Sequence, residues 1–261
     1  MNILERIVQD KFAEVAAAKE KLPLAILEKL VAERAPALSL TSFLKDPSKT
    51  GIIAEFKRQS PSKGIINGTV LPEQVTAGYQ AAGASACSVL TDGPYFGGSL
   101  EDLQKARKVL DIPILRKEFI IDEYQIIEAR AHGADVILLI AACLQPQRLK
   151  QLAELVRALG MEIILEVHDR EELEANLIDE VQVIGVNNRN LKTFEVSIQH
   201  SLDLLPYIPN QYLKISESGL DHIDRLNELK RAGFDGFLIG EQFMKQADPG
   251  AAMKTFVEGL I

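Results

Sequence analysis

The sequence predicts an α/β chain of the (β/α)8 class, a TIM barrel with an N-terminal helical extension, and three observations carry that prediction. Eight apolar runs of strand length alternate with amphipathic stretches of helical period. Most of those runs are apolar at nearly every position, as strands are when both of their faces are covered. A phrase recurs at the joints between helix and strand: AAGASACSVL from Ala81, AHGADVILLI from Ala131 and RAGFDGFLIG from Arg231. In each, a helical pattern ends at a glycine (Gly83, Gly133, Gly233), a polar residue follows two places later, and strand formers come next. A glycine there takes the left-handed backbone that closes a helix at little steric cost.

The elements follow in order. Residues 3–20 and 24–34 read as helices, with Ile3, Leu4, Ile7, Val8, Phe12 and Val15 on one face at helical spacing. They form an extension, 1–45, expected to pack on the barrel, and the whole chain, 1–261, reads as one barrel domain. The strands fall at 51–56, 86–91, 113–117, 135–140, 162–167, 182–187, 212–217 and 236–240. Helical stretches between them include 101–110, 123–131, 146–159 and 222–231. The alternative is an open, doubly wound sheet. Such a sheet announces itself with a GxGxxG turn that opens a helix after the first strand, and Gly64 and Gly68 do not form one.

Bulk properties narrow the function. A net charge of −8 and a pI near 5.2 argue against nucleic acid or an anionic membrane as the main partner. The longest apolar runs, about ten residues, are too short to span a bilayer. The start, MNILERIVQD, has early acids and no long apolar core, so it does not read as a secretory signal. Cys87 and Cys143 sit in apolar surroundings with no metal or disulfide spacing, which predicts buried thiols, a reducing cytoplasm and no metal.

Barrel chemistry sits at the C-terminal ends of the strands. There the sequence has Glu55 and Lys57, Arg116, Lys117 and Glu118, Glu166 and His168, Asn187 and Arg189, Glu217, Ser218 and Gly219, and Gly240 and Glu241. Side chains alternate along a strand, so Glu55 and Lys57 share the inward face, as do Lys117 and Glu166 by continuity with Leu115 and Ile164. By the same parity Arg116 faces away, and His168 is expected to start the loop. Alternate strands feed one layer, so Lys57, Lys117, Glu166 and Ser218 are expected at one level as an acid–base set. A structural ring of ion pairs is the competing account of such charges. SESG (216–219) and LIGEQFM (238–244) follow strands seven and eight, where barrels hold phosphate on backbone N–H groups. Ser60, Ser62 and Gly64 stand in the first loop, placed to close over the same anion.

These phrases together resemble the indole-3-glycerol phosphate synthase family. The matching stretches are IIAEFKRQSPSKG (52–64), SVLTDGPYFGGS (88–99), PILRKEFIIDEYQI (113–126), GADVILLI (133–140), LEVHD (165–169), IGVNNRNL (184–191), SESG (216–219) and FLIG (237–240). The resemblance implies conversion of 1-(2-carboxyphenylamino)-1-deoxyribulose 5-phosphate, a phosphorylated small molecule, to indole-3-glycerol phosphate, carbon dioxide and water. It implies no cofactor and no metal, and it admits other enzymes of tryptophan biosynthesis as partners. By motif position, Lys117 resembles the general acid of ring closure, Glu166 the acid–base carboxylate and Lys57 the second amine. Glu55, Asn187, Arg189, Glu217 and Ser218 match the supporting polar shell, with Ser60 in the covering loop. Phe96 matches an aromatic beside the substrate ring, and Gly219, Gly240 and the backbone of Glu241 match the phosphate cradle. Where some members carry Ser or Thr after the last of those glycines, this chain has Glu241. Two other readings compete. A phosphoribosylanthranilate isomerase-like barrel favours a Cys/Asp pair at strand ends, and Cys87 lies inside a strand. A non-catalytic phospholigand-binding barrel is expected to have a broken acid–base set.

Overall fold

The computed structural model describes residues 3–189 and 195–260. Asn190 and Leu191, at the end of the IGVNNRNL phrase, lie outside the described residues. Eight parallel strands close into a barrel: β1 (Ile52–Phe56), β2 (Ala86–Leu90), β3 (Ile114–Lys117), β4 (Val136–Ile140), β5 (Glu162–Val167), β6 (Val183–Asn187), β7 (Leu213–Glu217) and β8 (Gly236–Ile239). Each strand pairs with the next in sequence, and β8 closes on β1 with Phe237 opposite Ile52. The strand positions read from the apolar runs agree with these to within a residue or so at each end.

The strand alternation builds two cores. Ile53, Leu115, Leu138, Ile164, Ile215 and Leu238 point inward and fill the barrel. Ile52, Phe56, Val89, Ile137, Leu165 and Phe237 point outward and pack under the surrounding helices. Burying each such side chain contributes roughly 1.5–3 kcal/mol.

The recurring phrase has a further role. Gly83, Gly133 and Gly233 do adopt positive φ. The polar residue two places on then accepts a hydrogen bond from an N–H at the start of the preceding strand. Ser85 Oγ accepts from Gly51 at 2.9 Å, Asp135 Oδ2 from Ile114 at 2.9 Å, and Asp235 Oδ2 from Lys214 at 2.7 Å. One phrase thus closes a helix and satisfies the lower rim of the barrel.

The extension consists of α1 (Ile3–Lys21), α2 (Leu24–Ala32) and α3 (Leu40–Lys45). It runs as a strap from one end of the barrel to the other. Ile3, Leu4 and Ile7 reach the C-terminal mouth. Lower down, α2 packs on the helix after β3, α4 (Glu123–His132). At the base, Leu40 and Leu44 of α3 insert into the inner core. Glu162, the first residue of β5, fixes α3 by accepting from Ser39, Thr41 and the Thr41 backbone at 2.8–2.9 Å.

The expected apolar face of α1 needs correction. Ile7 and Val15 are buried, but Phe12 is 64% exposed, and Lys11 between them is only 2% exposed. Lys11 Nζ lies 2.7 Å from Asp92, 3.1 Å from Glu118 and 2.6 Å from Glu14. The inward line is therefore Ile7, Lys11, Val15, and a hydrophobicity pattern gives no warning of a buried ion cluster.

Candidate active site

One cavity of roughly 640 Å³ opens at the C-terminal ends of the strands, and it is lined by Glu55, Lys57, Ser60, Phe96, Lys117, Glu166, Asn187, Arg189, Glu217, Ser218, Gly219, Gly240 and Glu241; Gly64, expected to close over the anion with Ser60 and Ser62, is instead exposed in the hairpin and outside the lining. Strand ends put them there, because side chains that would fill the core lower down meet open space at the rim.

Lys117 is the centre. Its Nζ is 2.7 Å from Glu217 Oε2 and 3.2 Å from Glu166 Oε2. Burial alone favours the neutral amine, but the charges of Glu217, Glu166 and Glu55 outweigh it and hold the ammonium well protonated. The two carboxylates diverge. Burial pushes Glu217 up to about 7, with Glu166 and Glu55 as like charges adding to the shift. Burial also pushes on Glu166, but Lys117, the charge of His168 and the Asn187 amide hold it below the ordinary value. Asn187 Nδ2 donates to Glu166 Oε1 at 3.0 Å, while Asn187 Oδ1 accepts from the Arg189 N–H at 3.0 Å. Across the cavity, Lys57 Nζ sits 2.6 Å from Glu55 Oε1.

Two glycines make this packing fit. A Cβ on Gly185, in the middle of β6, would lie 2.4 Å from Glu217 Oε1. A Cβ on Gly240 would lie 2.6 Å from Glu55 Oε1. Gly240, which the resemblance assigns to the phosphate cradle, is thus also room for Glu55. Gly185 drew no notice in the sequence, where a glycine inside an apolar run reads as an ordinary strand residue.

The cavity has two ends of different character. At one, Phe96 and Phe119 pack with ring centroids 6.0 Å apart, beside Ile3, Leu4 and Ile7 of α1. At the other are Ser60, Ser62 and Lys63 of the loop after β1, Ser218 and Gly219 after β7, and Gly240 and Glu241 opening the short helix Glu241–Met244. The loop after β1 carries a small hairpin, Gln59–Ser60 against Gly64–Ile65. Ser218 has φ +70°, rare for a residue with a side chain, and turns the chain sharply at the end of β7. Arg225 donates to the Gly219 carbonyl at 2.9 Å. The Glu241 carboxylate turns toward Lys63, 3.7 Å away at the exposed rim.

A model of the indole-3-glycerol phosphate synthase family matches residues 4–256. The chain belongs to that family. It is 44% identical over 259 residues to the indole-3-glycerol phosphate synthase of Bacteroides thetaiotaomicron, covering 99% of both chains. It is likewise 44% identical over 256 residues to that of Laribacter hongkongensis, covering 97% of each. Among solved structures, the tryptophan synthase alpha chain of Legionella pneumophila superposes with a TM-score of 0.62 at 12% identity over 85% of this chain and 95% of that one. A 3-hexulose-6-phosphate synthase gives 0.61 at 11% identity over 81% and 100%. At those identities the likeness is one of fold.

Arg116 faces away, as parity predicts for this indole-3-glycerol phosphate synthase relative. It donates to Thr91 at 3.0 Å and to the Gln125 carbonyl at 2.8 Å. The expectation that His168 merely starts the loop needs correction. It stands two places past Glu166, so alternation gives both the same inward face, and the imidazole is buried and lines the cavity. Phe119, Arg225, Lys245 and the first turns of α1 also line the cavity and were not singled out. Phe119 sits within the RKEFIIDEYQI phrase, two places past Lys117, so the phrase itself was the available signal. Nothing local marks Ile3 or Leu4, because their approach to the mouth is a tertiary fact.

Proposed function

We propose that the cavity closes, decarboxylates and dehydrates 1-(2-carboxyphenylamino)-1-deoxyribulose 5-phosphate to indole-3-glycerol phosphate. The observation that carries this reading is Lys117 held between Glu166 and Glu217, 3.2 and 2.7 Å away, in a cavity with an aromatic wall at one end and a hydroxyl- and glycine-lined rim at the other. The aryl ring goes to Phe96 and Phe119, and the phosphate to the loops bearing Ser60, Ser218, Gly219 and Gly240. Arg189 and Glu241 border the sugar and phosphate ends.

The chemistry asks for what these residues supply. When the aryl carbon bearing the carboxylate attacks the ketone, the ketone oxygen gains charge and becomes a strong base. Lys117, a weak acid at rest, is then able to protonate it. Loss of carbon dioxide restores aromaticity. Dehydration needs a proton for the departing hydroxyl and a base for the proton that leaves the five-membered ring; Lys57, steadied by Glu55, and Glu166 take these parts. Glu217 aligns Lys117. The acid–base set is intact, which disfavours a purely binding barrel. Cys87 is fully buried and pushed up by that burial, which disfavours isomerase chemistry through a thiol.

We assign the protein to the cytoplasm on its two free, buried or half-buried thiols, and admit other tryptophan-pathway enzymes as partners. The test is direct. Purified protein given the substrate should release carbon dioxide and develop indole emission, which stands out because the chain has no tryptophan. Activity should persist in EDTA, and inorganic phosphate or sulfate should compete with substrate. No indole product, or activity that EDTA abolishes and a divalent ion restores, defeats the reading.

A further inference from the structure

His168 has no part in the scheme above, yet it is built into the site. Its Nε2 is buried with no hydrogen-bond partner, and it points at Glu166 Oε1 from 3.5 Å. Its other ring nitrogen lies 3.3 Å from Glu172 Oε2, and the same carboxylate oxygen accepts the His168 backbone N–H at 2.8 Å. The His168 carbonyl in turn meets the imidazole of His200. The ring is therefore fixed by Glu172 on the solvent side, with Nδ1–H donating to it and the free nitrogen aimed at the buried base. This carboxylate–imidazole–carboxylate line leads from a partly exposed helix residue into the acid–base set.

The proposed reaction gives such a group something to do. The ketone oxygen takes up one proton in ring closure and the departing hydroxyl takes another. One proton is returned to a base when the double bond forms. The substrate carboxylate leaves as carbon dioxide and its electron pair stays in the ring. Each turnover thus consumes one proton, while bound substrate fills the mouth through which water would deliver it.

We propose that His168 supplies that proton through Glu166. The Nε2–H bond breaks as an O–H bond forms on Glu166 Oε1, and Glu166 hands the proton from its other oxygen to Lys117 Nζ, 3.2 Å away. Neutral imidazole remains, keeping Nδ1–H on Glu172, and takes a proton from water at Nε2 when product leaves the cavity. His168 acts through Glu166 and is in this sense a positioning residue. Its protonation at rest is favoured by what surrounds it. Burial disfavours the imidazolium, but the hydrogen bond to Glu172 and the charges of Glu166, Glu172 and Glu217 raise its pKa above the ordinary histidine value. Two further titratable side chains stand near this line: His200, whose imidazole meets the His168 carbonyl, and Cys143 on the turn after β4, which burial and the charges of Glu166 and Glu172 raise, so that it stays a neutral thiol.

This inference rests on the proposed reaction, and the experiment separates the two. The readout is the ratio of wild-type kcat to that of His168→Asn across pH. The ratio should be at least ~10 on the acid side and fall toward one as pH rises and His168 loses its proton, with KM within about twofold and added imidazole restoring part of the variant's rate. In Glu172→Gln, a surface-helix change that also serves if His168→Asn does not fold, the alkaline loss of kcat should begin at lower pH. A ratio near one, a ratio flat with pH, a change confined to KM, or a Glu172→Gln profile that superposes on wild type overturns the role of His168. Wild-type protein that makes no indole product overturns the reaction itself.

Discussion

Lys117 can be tested as a chemical group and not merely as a charge. An ammonium that matters most as the ring closes should contribute more to the transition state than to binding. Lys117→Met should therefore lower kcat by ~10²–10⁴ while KM changes little, with methionine keeping length and volume. Lys117→Arg should not rescue it, because guanidinium is too weak an acid and its fork has the wrong shape. Steady-state kinetics of the two variants decide this, and retained kcat in either would pass the acid role to Lys57. Glu217 makes a prediction about stability. Its carboxyl titrates higher in the folded chain than unfolded, so the folded protein binds that proton more tightly. The stability this brings is whole below the ordinary value of 4.5 and is lost as pH rises through about 7. Urea unfolding of Glu217→Gln across that window should show a flatter pH dependence than wild type, and parallel curves would contradict the assignment. The residues of this cluster were readable in the sequence because charge at the end of an apolar run is costly unless used. Gly185 was not, because it is a missing side chain whose value depends on a neighbour across the sheet; the inward direction of His168 was, because it stands two places past Glu166.

At the scale of an element, α1 joins the barrel through a buried charge rather than an apolar stripe. Removing Lys11 takes the ammonium away from buried Asp92 and leaves Glu118 with Arg116, 3.9 Å away, and a buried pair that loses one partner costs about 3–5 kcal/mol. Lys11→Met should therefore lower the unfolding free energy by roughly that much and, by loosening the helix that brings Ile3, Leu4 and Ile7 to the cavity, raise KM. Phe12→Ala, one residue away on the exposed side, should stay within about 0.5 kcal/mol of wild type. Denaturant unfolding of both variants distinguishes a helix held by Lys11 from one held by the face that periodicity suggests. The existence and length of α1 were legible at the level of period and composition. Its rotation about its own axis was not, because the partners of Lys11 lie in loops after β2 and β3 that no local pattern connects to it. The small hairpin after β1 was missed for a related reason: two-residue strands leave too short a run to show alternation.

Over the whole molecule the two ends of the barrel divide the labour. The mouth carries charges that cost stability, and the base is closed by α3, with Leu40 fully buried in the inner core. Leu40→Ala should cost ~2–5 kcal/mol and lower the melting temperature, while leaving kcat and KM as they are below the transition. A loss of kcat in folded Leu40→Ala would show that the base and the mouth are coupled. The barrel itself was the most legible feature, because eight apolar runs and a repeated joint report the same architecture independently. The plug at its base was not, since 40–45 is a short apolar stretch like many others. The strap that joins plug and mouth also has a consequence for how the chain is made. Its three helices leave the ribosome before every strand of the barrel, yet Leu44 packs beside Gly236 on β8, and that strand must also reach back to β1 to complete the cylinder. A segment made before the barrel is therefore among the last to find its place, and until β8 has been made the inner faces of β1 through β7 wait without a floor.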